Sequence, residues 1–285
     1  MPELPEVQTV VSQLGRKVTG HKIIEFWSDS EKNLKVPKRK LKSRILGAKI
    51  IGTRRFGKHI IIDLDNGLAI LIHLKMTGHL LVKTKKNRND KAFTEDPMNR
   101  FIHHIFTLDQ GATIEFSDMR KFGWIDVAES HQVKAVPSIE RLGKDALSKE
   151  MDLEHFSGLI QKAKHKKIGT LLLEQEKIAG IGNIYRSEML YRAGILPFRL
   201  SSSLSKSKKE REKLFESMKT VLREAVKLRG TTDGDFRDTA GQPGSFQKTL
   251  FVYGRQGKEC KKCDTIIERK KLGQRSVFFC SKCQK

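Results

Sequence analysis

The residues best suited to chemistry begin at the amino terminus, where Met1–Val7 contains two prolines and two glutamates. Removal of the initiator methionine would leave Pro2 as a free secondary amine, and an α-amino group is partly neutral near pH ~8. Such an amine can attack an electrophilic carbon and form a covalent iminium, while Glu3 beside it donates or accepts a proton. The alternative is structural: Pro5 starts a helix, and the glutamates stabilise its positive amino end.

Metal-ligand chemistry is indicated at the other end of the chain. The only four cysteines form two Cys-x-x-Cys pairs, Cys260 with Cys263 and Cys280 with Cys283. This spacing is typical of a tetrahedral zinc site, with two thiolate ligands from each pair. Since four thiolates leave no position for water, we expect one structural Zn²⁺ ion. The clustering also favours a reducing compartment over a disulfide framework.

Three further motifs are weaker on their own. In Gly180-Ile181-Gly182-Asn183, a phosphate could approach bare backbone N–H groups at a helix start, and Asn183 adds a side-chain donor. Lys58 directly precedes an apolar strand. Arg120 and Phe122 could project together from one loop into a base stack. A tight turn, a surface lysine and a half-buried hairpin end would produce the same three patterns.

The charge of the chain indicates its class of partner. Its 285 residues include 56 Lys and Arg against 33 Asp and Glu, a formal net charge of +23. A polyanion is therefore expected, either nucleic acid or an anionic membrane. Many short basic clusters, such as Lys35–Arg44 and Lys206–Lys213, favour a long nucleic-acid-binding surface over one membrane helix. No apolar run reaches the ~20 residues of a membrane span, and no secretory signal is recognisable, so we expect a cytoplasmic protein.

Hydrophobic periodicity predicts the elements that position these residues. An amphipathic helix should follow the amino terminus and end near Gly20. Short β-branched runs then predict an all-β sandwich or barrel, with strands at Lys49–Thr53, His59–Asp65, Leu68–Leu74, Ile102–Leu108 and Thr113–Ser117, and hairpin turns at Asp65-Asn66-Gly67 and Gln110-Gly111. The helical period returns at Leu153–Ala163, Ile184–Ala193 and Leu204–Leu228, with a short turn at Leu171–Glu174.

The predicted fold class is multidomain α+β. We expect a β-sandwich with a leading helix at residues 1–128, a connector at 129–149 and a helical domain at 150–230. A mobile loop rich in Gly, Asp and Thr should cover 231–247, and a four-cysteine zinc-finger ribbon 248–285.

In combination and order, these motifs resemble the formamidopyrimidine-DNA glycosylase family and its relative endonuclease VIII. The resemblance covers the whole chain and is carried by Pro-Glu-Leu-Pro-Glu-Val, Gly-Lys-His, Met-Arg-Lys-Phe-Gly, Gly-Ile-Gly-Asn-Ile-Tyr and the four cysteines. It implies a helix–two-turn–helix domain in the helical half. It also implies a monomeric bacterial enzyme, associated with the nucleoid, that removes oxidised bases from double-stranded DNA and cleaves the strand.

The resemblance also implies roles for individual residues. Pro2 would be the nucleophile and Glu3 the proton relay, while Lys58 would be a phosphate ligand and proton donor in strand cleavage. Met76, Arg120 and Phe122 would fill the gap left by an extruded base. Asn183 and Arg275 would grip phosphates beside the lesion, Arg275 with a part in the chemistry. Glu6, His103 and Tyr253 would complete the DNA-binding set.

Two positions depart from the family pattern. Gly169 stands where Ile-Lys-Pro usually supplies a lysine, and Phe101 where His-Asp-His usually supplies its first histidine. We expect oxidised purines as substrates and a less sharp discrimination against oxidised pyrimidines, because Gly169 offers no side chain to the DNA. An endonuclease VIII-like preference for oxidised pyrimidines is the alternative, favoured by Tyr185-Arg186-x-Glu188. A non-catalytic nucleic-acid-binding zinc-ribbon protein is the alternative of a different class.

Overall fold

The computed structural model describes residues 1–285. It contains two compact units, Met1–Glu140 with Leu228–Gln247, and Arg141–Lys227 with Lys248–Lys285. The helices are α1 Leu4–Val18, α2 Lys38–Ile45, α3 Lys91–Thr94, α4 Pro137–Glu140, α5 Leu153–Lys162, α6 Ile168–Leu171, α7 Asn183–Ala193, α8 Ser201–Ser205 and α9 Lys208–Lys227. The strands are β1 Ile23–Ser28, β2 Ile50–Phe56, β3 His59–Leu64, β4 Leu68–His73, β5 His79–Lys83, β6 Ile102–Leu108, β7 Thr113–Ser117, β8 Trp124–Glu129, β9 Lys144–Asp145, β10 Ile178–Ala179, β11 Glu268–Leu272 and β12 Arg275–Phe279.

The first unit is a sandwich of two antiparallel four-stranded sheets with orders β2-β3-β4-β8 and β1-β6-β7-β5. The predicted β-branched runs form its core, and residues of one parity along each strand face the other sheet. Ile60, Ile62 and Ile72 of one sheet share a buried cluster with Phe106 of the other. The apolar stripe of α1, from Val7 to Val18, belongs to the same cluster, so the leading helix is part of the core.

The segment Leu228–Gln247, which connects two parts of the second unit in sequence, packs within the first unit. The Thr239 amide donates to Gln13 Oε1 on α1 at 2.9 Å, and the Thr239 carbonyl accepts from the Val82 amide on β5 at 2.9 Å. Asp238 accepts from Gln13 Nε2 at 3.0 Å. These contacts give the predicted loop a defined place against the helix that carries the amino terminus.

The second unit is helical and ends in the β11–β12 hairpin with the four cysteines. Its central element is α7, which packs on α9, α6 and β12. Nine of the eleven α7 residues are buried. A helix buried on nearly all sides is a scaffold for its neighbours, and the side chains of α7 connect the parts of this unit.

The sequence-based elements differ from the observed ones in several respects. Elements that were not predicted include the strands β1, β5, β8, β9 and β10 and the helices α2, α3 and α4. The helix predicted over Leu204–Leu228 is two helices, α8 and α9. The Ser207 hydroxyl accepts from the Glu210 amide at 3.3 Å and starts α9, while Arg211 donates to the Leu204 carbonyl at 3.0 Å and closes α8. Among all the helices, none has the length and apolar character that a bilayer crossing requires.

Candidate active site

The amino terminus enters α1 as a buried structure. Pro2 is buried, Glu3 is 2% exposed and Glu6 is 1% exposed. The Glu3 amide donates to Glu6 Oε2 at 2.7 Å in a capping arrangement that starts the helix. Burying carboxylates is costly unless they are hydrogen-bonded, so this helix start is built around both glutamates. The motif therefore starts a helix, as its structural interpretation predicts. The same buried helix start holds Glu3 next to Pro2.

Lys58 lies in the turn between β2 and β3 and is 8% exposed. Two side-chain bonds hold β2 along α1: Thr53 Oγ1 donates to the Val11 carbonyl at 2.9 Å, and Arg55 Nε donates to Gln8 Oε1 at 2.9 Å. From Thr53 to Arg55 the strand advances toward its turn, while the partner on α1 moves from Val11 to Gln8, toward the amino end. The turn with Lys58 therefore continues toward the end of α1 that carries Pro2 and Glu3.

The three residues expected to fill a base gap lie together on two loops of the first unit. Arg120 Nη1 lies 3.2 Å from Met76 Sδ, and the Arg120 guanidinium lies 4.6 Å from the centre of the Phe122 ring. Met76 is 40% and Phe122 50% exposed. Exposed apolar side chains held beside a cation suit insertion into a base stack.

The side chain of Asp118, which is 4% exposed, holds the two loops of this cluster together. Its Oδ2 accepts from the amides of Phe122 at 2.8 Å and Gly123 at 2.7 Å, and its Oδ1 accepts from the Thr77 hydroxyl. Thr77 also follows Met76 in the chain, so one carboxylate joins the two loops. Asp118 was not among the predicted site residues. The signal was available, since an aspartate before a turn commonly accepts from amides that follow it.

His103 lies on β6 with its Nδ1 2.9 Å from Asp29 Oδ1. Its Nε2 is buried and has no hydrogen-bond partner in the protein. Phe101, the departure two residues earlier, is 36% exposed. The first unit thus carries eight of the residues predicted for the site: Pro2, Glu3, Glu6, Lys58, Met76, His103, Arg120 and Phe122.

The second unit carries Asn183, Tyr253 and Arg275. Asn183 is the first residue of α7, after Gly182, so it occupies the helix start that the glycine motif predicted. Arg275 opens β12 opposite Leu272 and is exposed. An amide side chain and a helix amino end are both donors to anions, and an exposed arginine adds charge.

The backbone of Tyr253 is held by Glu188, a residue that was not among the predicted site residues. Glu188 is 3% exposed on α7, and its Oε1 accepts from the amides of Val252 at 2.9 Å and Tyr253 at 2.8 Å. Its Oε2 accepts from the Phe251 amide at 2.9 Å. Burial raises the pKa of the Glu188 carboxyl, and these three amides oppose that shift. One carboxylate thus anchors the segment that leads into the zinc ribbon.

The four cysteine sulfurs all lie within 4.8 Å of one another. Sγ–Sγ distances are 3.9 Å for Cys260–Cys283, 3.5 Å for Cys263–Cys280 and 3.3 Å for Cys263–Cys283. A tetrahedral zinc with Zn–S bonds of about 2.3 Å requires sulfurs about 3.8 Å apart, so the donor set fits that ion. The Tyr191 hydroxyl of α7 lies 3.3 Å from Cys260 Sγ, which connects the knuckle to the helical core.

Family models match three successive parts of the chain. The model described as the formamidopyrimidine-DNA glycosylase N-terminal domain matches residues 1–125. The formamidopyrimidine-DNA glycosylase H2TH domain matches residues 142–236, and the zinc finger found in FPG and IleRS matches residues 257–285.

Similar proteins and structures cover the full chain. The formamidopyrimidine-DNA glycosylase of Pelotomaculum thermopropionicum is 38% identical over 100% of this chain and 99% of its own length. A Lactococcus lactis FPG variant in complex with a Fapy-dG containing DNA has a TM-score of 0.88 at 28% identity, covering 100% of both chains. The Thermus thermophilus MutM (FPG) structure has a TM-score of 0.84 at 31% identity, covering 99% of this chain and 98% of that one. By sequence and by structure, this chain belongs to the formamidopyrimidine-DNA glycosylase family.

Proposed function

We propose that this protein is a base-excision-repair DNA glycosylase with AP-lyase activity that removes oxidised purines such as 8-oxoguanine and formamidopyrimidines. The observation that carries the proposal is the burial of two ionisable side chains, Glu3 and Lys58, in the unit whose helix start places Pro2 beside Glu3. Burying such groups costs free energy, and buried ionisable groups cluster at functional sites.

The proposed reaction starts from the amine of Pro2 after Met1 is removed. Its lone pair attacks C1′ of the damaged nucleotide, and the glycosidic bond breaks with its electrons leaving on the base, which takes up the proton lost from the proline nitrogen. Glu3 protonates the ring oxygen as the sugar opens, which gives an iminium between the proline nitrogen and C1′. The target carbon is unreachable within a stacked duplex, so the nucleotide must first be extruded.

Strand cleavage follows from the same iminium. Its positive charge acidifies the C2′ hydrogen, and loss of that proton expels the 3′ phosphate in β-elimination. A second elimination expels the 5′ phosphate and completes the β,δ-sequence. Lys58, buried in the turn that extends toward the amino end of α1, would bind a phosphate and supply a proton to it.

Contacts with double-stranded DNA would come from both units. Met76, Arg120 and Phe122 form one preassembled cluster suited to fill the vacated stack, and Glu6 and His103 lie in the same unit. Asn183, Arg275 and Tyr253 would bind phosphates. Cys260, Cys263, Cys280 and Cys283 would hold one zinc ion, which supplies a structural crosslink within the ribbon that presents Arg275.

Preference for oxidised pyrimidines is the second candidate. It is favoured by the similarity to a Lactococcus lactis FPG solved with an oxidised pyrimidine containing DNA, with a TM-score of 0.86 at 29% identity. Gly169, which offers no side chain to a ligand, gives no support to a purine-specific contact.

Borohydride trapping on a panel of lesion duplexes tests the proposal. The protein should be trapped covalently on 8-oxoguanine, formamidopyrimidine and abasic duplexes, and mass spectrometry should place the adduct on Pro2. Pro2→Gly should lower glycosylase activity strongly, and protein that keeps Met1 should give no adduct. A full yield of adduct after Pro2 is acylated would assign the reaction to another amine.

A further inference from the structure

The largest buried cation of the second unit is Arg186, which lies on α7 one turn after Asn183. Its relative exposure is 0%. Nη1 donates to the Gly169 carbonyl at 3.2 Å, and Nη2 donates to the Ser276 carbonyl at 2.9 Å and to Asn183 Oδ1. One guanidinium therefore joins the start of α6, the start of α7 and the strand β12.

The bond to Asn183 determines which way that side chain presents its amide. A guanidinium has five N–H donors and no acceptor, and it remains protonated in proteins. Only the oxygen of the Asn183 side-chain amide can accept from the Arg186 guanidinium. The NH2 group of that amide therefore points away from Arg186. A neutral partner with both donor and acceptor atoms would permit either orientation.

The bond to Ser276 acts on Arg275 through the backbone. Ser276 directly follows Arg275 in β12, and the facing residues in β11 are Lys271 and Leu272. Because the Ser276 carbonyl is held from the helical core, the backbone that carries Arg275 is held at a defined distance from α7.

The third partner, Gly169, lies where the α6 backbone packs closely against its neighbours. A Cβ at Gly169 would lie 2.8 Å from the Pro197 carbonyl oxygen and 2.8 Å from Leu272 Cδ2. These distances are below those of real Cβ contacts, so the packing of this region requires the glycine.

We propose that Arg186 is a positioning residue for DNA phosphate. It orients the Asn183 amide with its nitrogen toward the ligand, and it holds the strand that presents Arg275. This inference rests on the proposed function, in which Asn183 and Arg275 bind phosphates. Arg186 itself does not touch the ligand, because its side chain is buried.

A double-mutant cycle separates this role from general support of the fold. The probe is a fluorescent duplex with a tetrahydrofuran abasic analogue opposite cytosine, and the variants are Arg186→Met, Asn183→Ala and the double variant. Arg186→Met should weaken binding by about tenfold to a hundredfold, the effect of losing a charge-assisted contact. In the Asn183→Ala background, Arg186→Met should weaken binding by only about threefold or less. This residual effect would act through the position of Arg275.

Two further variants keep the cycle interpretable. Arg192→Met lies on the same helix and removes an ion pair with Glu224 at 2.7 Å; its effect should be small and additive with Asn183→Ala. Arg186→Lys keeps the charge but cannot reach three acceptors, so it should show a smaller loss with the same non-additivity, and it replaces Arg186→Met if that variant fails to fold. Zinc content and the thermal midpoint are measured for every variant.

The outcomes divide as follows. If Arg186→Met costs as much in the Asn183→Ala background as in the wild type, the positioning role is overturned while phosphate binding by Asn183 stands. If the wild type does not prefer the tetrahydrofuran duplex over an undamaged one, the proposed function fails and this inference fails with it.

Discussion

The carboxylate of Glu6 accepts the backbone N–H of Thr231 at 2.7 Å, across a sequence separation of 225 residues. The other oxygen of Glu6 accepts from the Glu3 amide at 2.7 Å. One buried side chain therefore connects the start of the helix beside Pro2 to the loop Leu228–Gln247. The position of that loop and the geometry of the amino terminus depend on each other.

Glu6→Gln should loosen both ends of this connection. Glutamine has one side-chain oxygen, whereas both oxygens of Glu6 accept a hydrogen bond. One backbone N–H, of Glu3 or Thr231, would therefore face the glutamine NH2 group, which costs about 1–3 kcal/mol of unfolding free energy. Hydrogen exchange at Thr231 and urea unfolding measure the change. Glu25→Gln, an exposed position in the same unit, is the control. Unaltered exchange at Thr231 would contradict the connection.

Asp118→Asn should disorder the loop that carries Arg120 and Phe122. The asparagine nitrogen cannot accept, so it would face either the Phe122 and Gly123 amides or the Arg120 amide, which now donates to Asp118 Oδ1 at 3.3 Å. Leaving such a donor without its carboxylate acceptor costs about 1–3 kcal/mol. Cleavage of lesion duplexes should fall more than binding to undamaged DNA, because only extrusion needs the cluster. Asp65→Asn, at an exposed hairpin turn, should leave both unchanged. Equal losses on the two measurements would rule out a specific role in extrusion.

The unfolding free energy should fall as the pH falls from about 6.5 to 4, in part because of His104. Burial among Phe26, Phe116 and the strands lowers its pKa to about 4 from the ordinary 6.5. A lowered histidine pKa means that the unfolded chain binds the proton first, so this stability is present above pH ~6.5 and is lost on acidification. The shift corresponds to about 3 kcal/mol for this group.

Urea unfolding at pH 7.5 and 4.5 measures that difference for the wild type and His104→Gln. The variant should be less stable at pH 7.5 but should lose less on acidification. His73 and His79 have pKa values lowered chiefly by burial and act in the same direction, so the comparison between variants isolates His104. The control is His165→Gln, at an exposed position. The same loss in wild type and His104→Gln would contradict the assignment.

One zinc ion per chain should be released by a chelator or by Cys280→Ser. Loss of a ligand opens the tetrahedral site, and the ribbon depends on the metal for its fold. DNA affinity should then fall, while unfolding of the β-sandwich should change little. Elemental analysis and anisotropy measure the two effects, with Lys282→Ala, an exposed position within the second ligand pair, as the control. Fresh protein without zinc would refute the metal site.

Gly169→Lys should destabilise the second unit, which changes the expectation drawn from the family pattern. The family pattern predicts that a lysine at this position favours 8-oxoguanine, but a Cβ would meet the Pro197 carbonyl oxygen at 2.8 Å. Overpacking of this kind costs about 1–3 kcal/mol. Gly169→Ala isolates the cost of the Cβ in thermal unfolding.

Gly158→Ala is the matched comparison, since a Cβ at this helical glycine of α5 meets nothing within 4 Å. It should be neutral or stabilise by about 0.5–1 kcal/mol, the helix advantage of alanine over glycine. If both alanine variants unfold alike, the space around Gly169 is not limiting, and the ratio of single-turnover rates on the two lesion classes then tests the lysine directly.

Local patterns determined much of this protein. Short apolar and β-branched runs predicted β6 and β7 with their observed bounds. Cysteine spacing predicted the clustered sulfurs, since each Cys-x-x-Cys pair holds two ligands close through a short turn. The order of motifs along the chain identified the family before any contact was known.

Tertiary structure decided what depends on distant partners. Periodicity treats an arginine or glutamate within a helix as solvent-facing, yet Arg186 and Glu188 are buried, because other segments supply acceptors for one and amide donors for the other. The loop after α9 packs within the first unit because the carboxylate of Glu6 meets the amide of Thr231. Such bonds form between groups that only the folded chain brings together, and no spacing along the sequence encodes their distance.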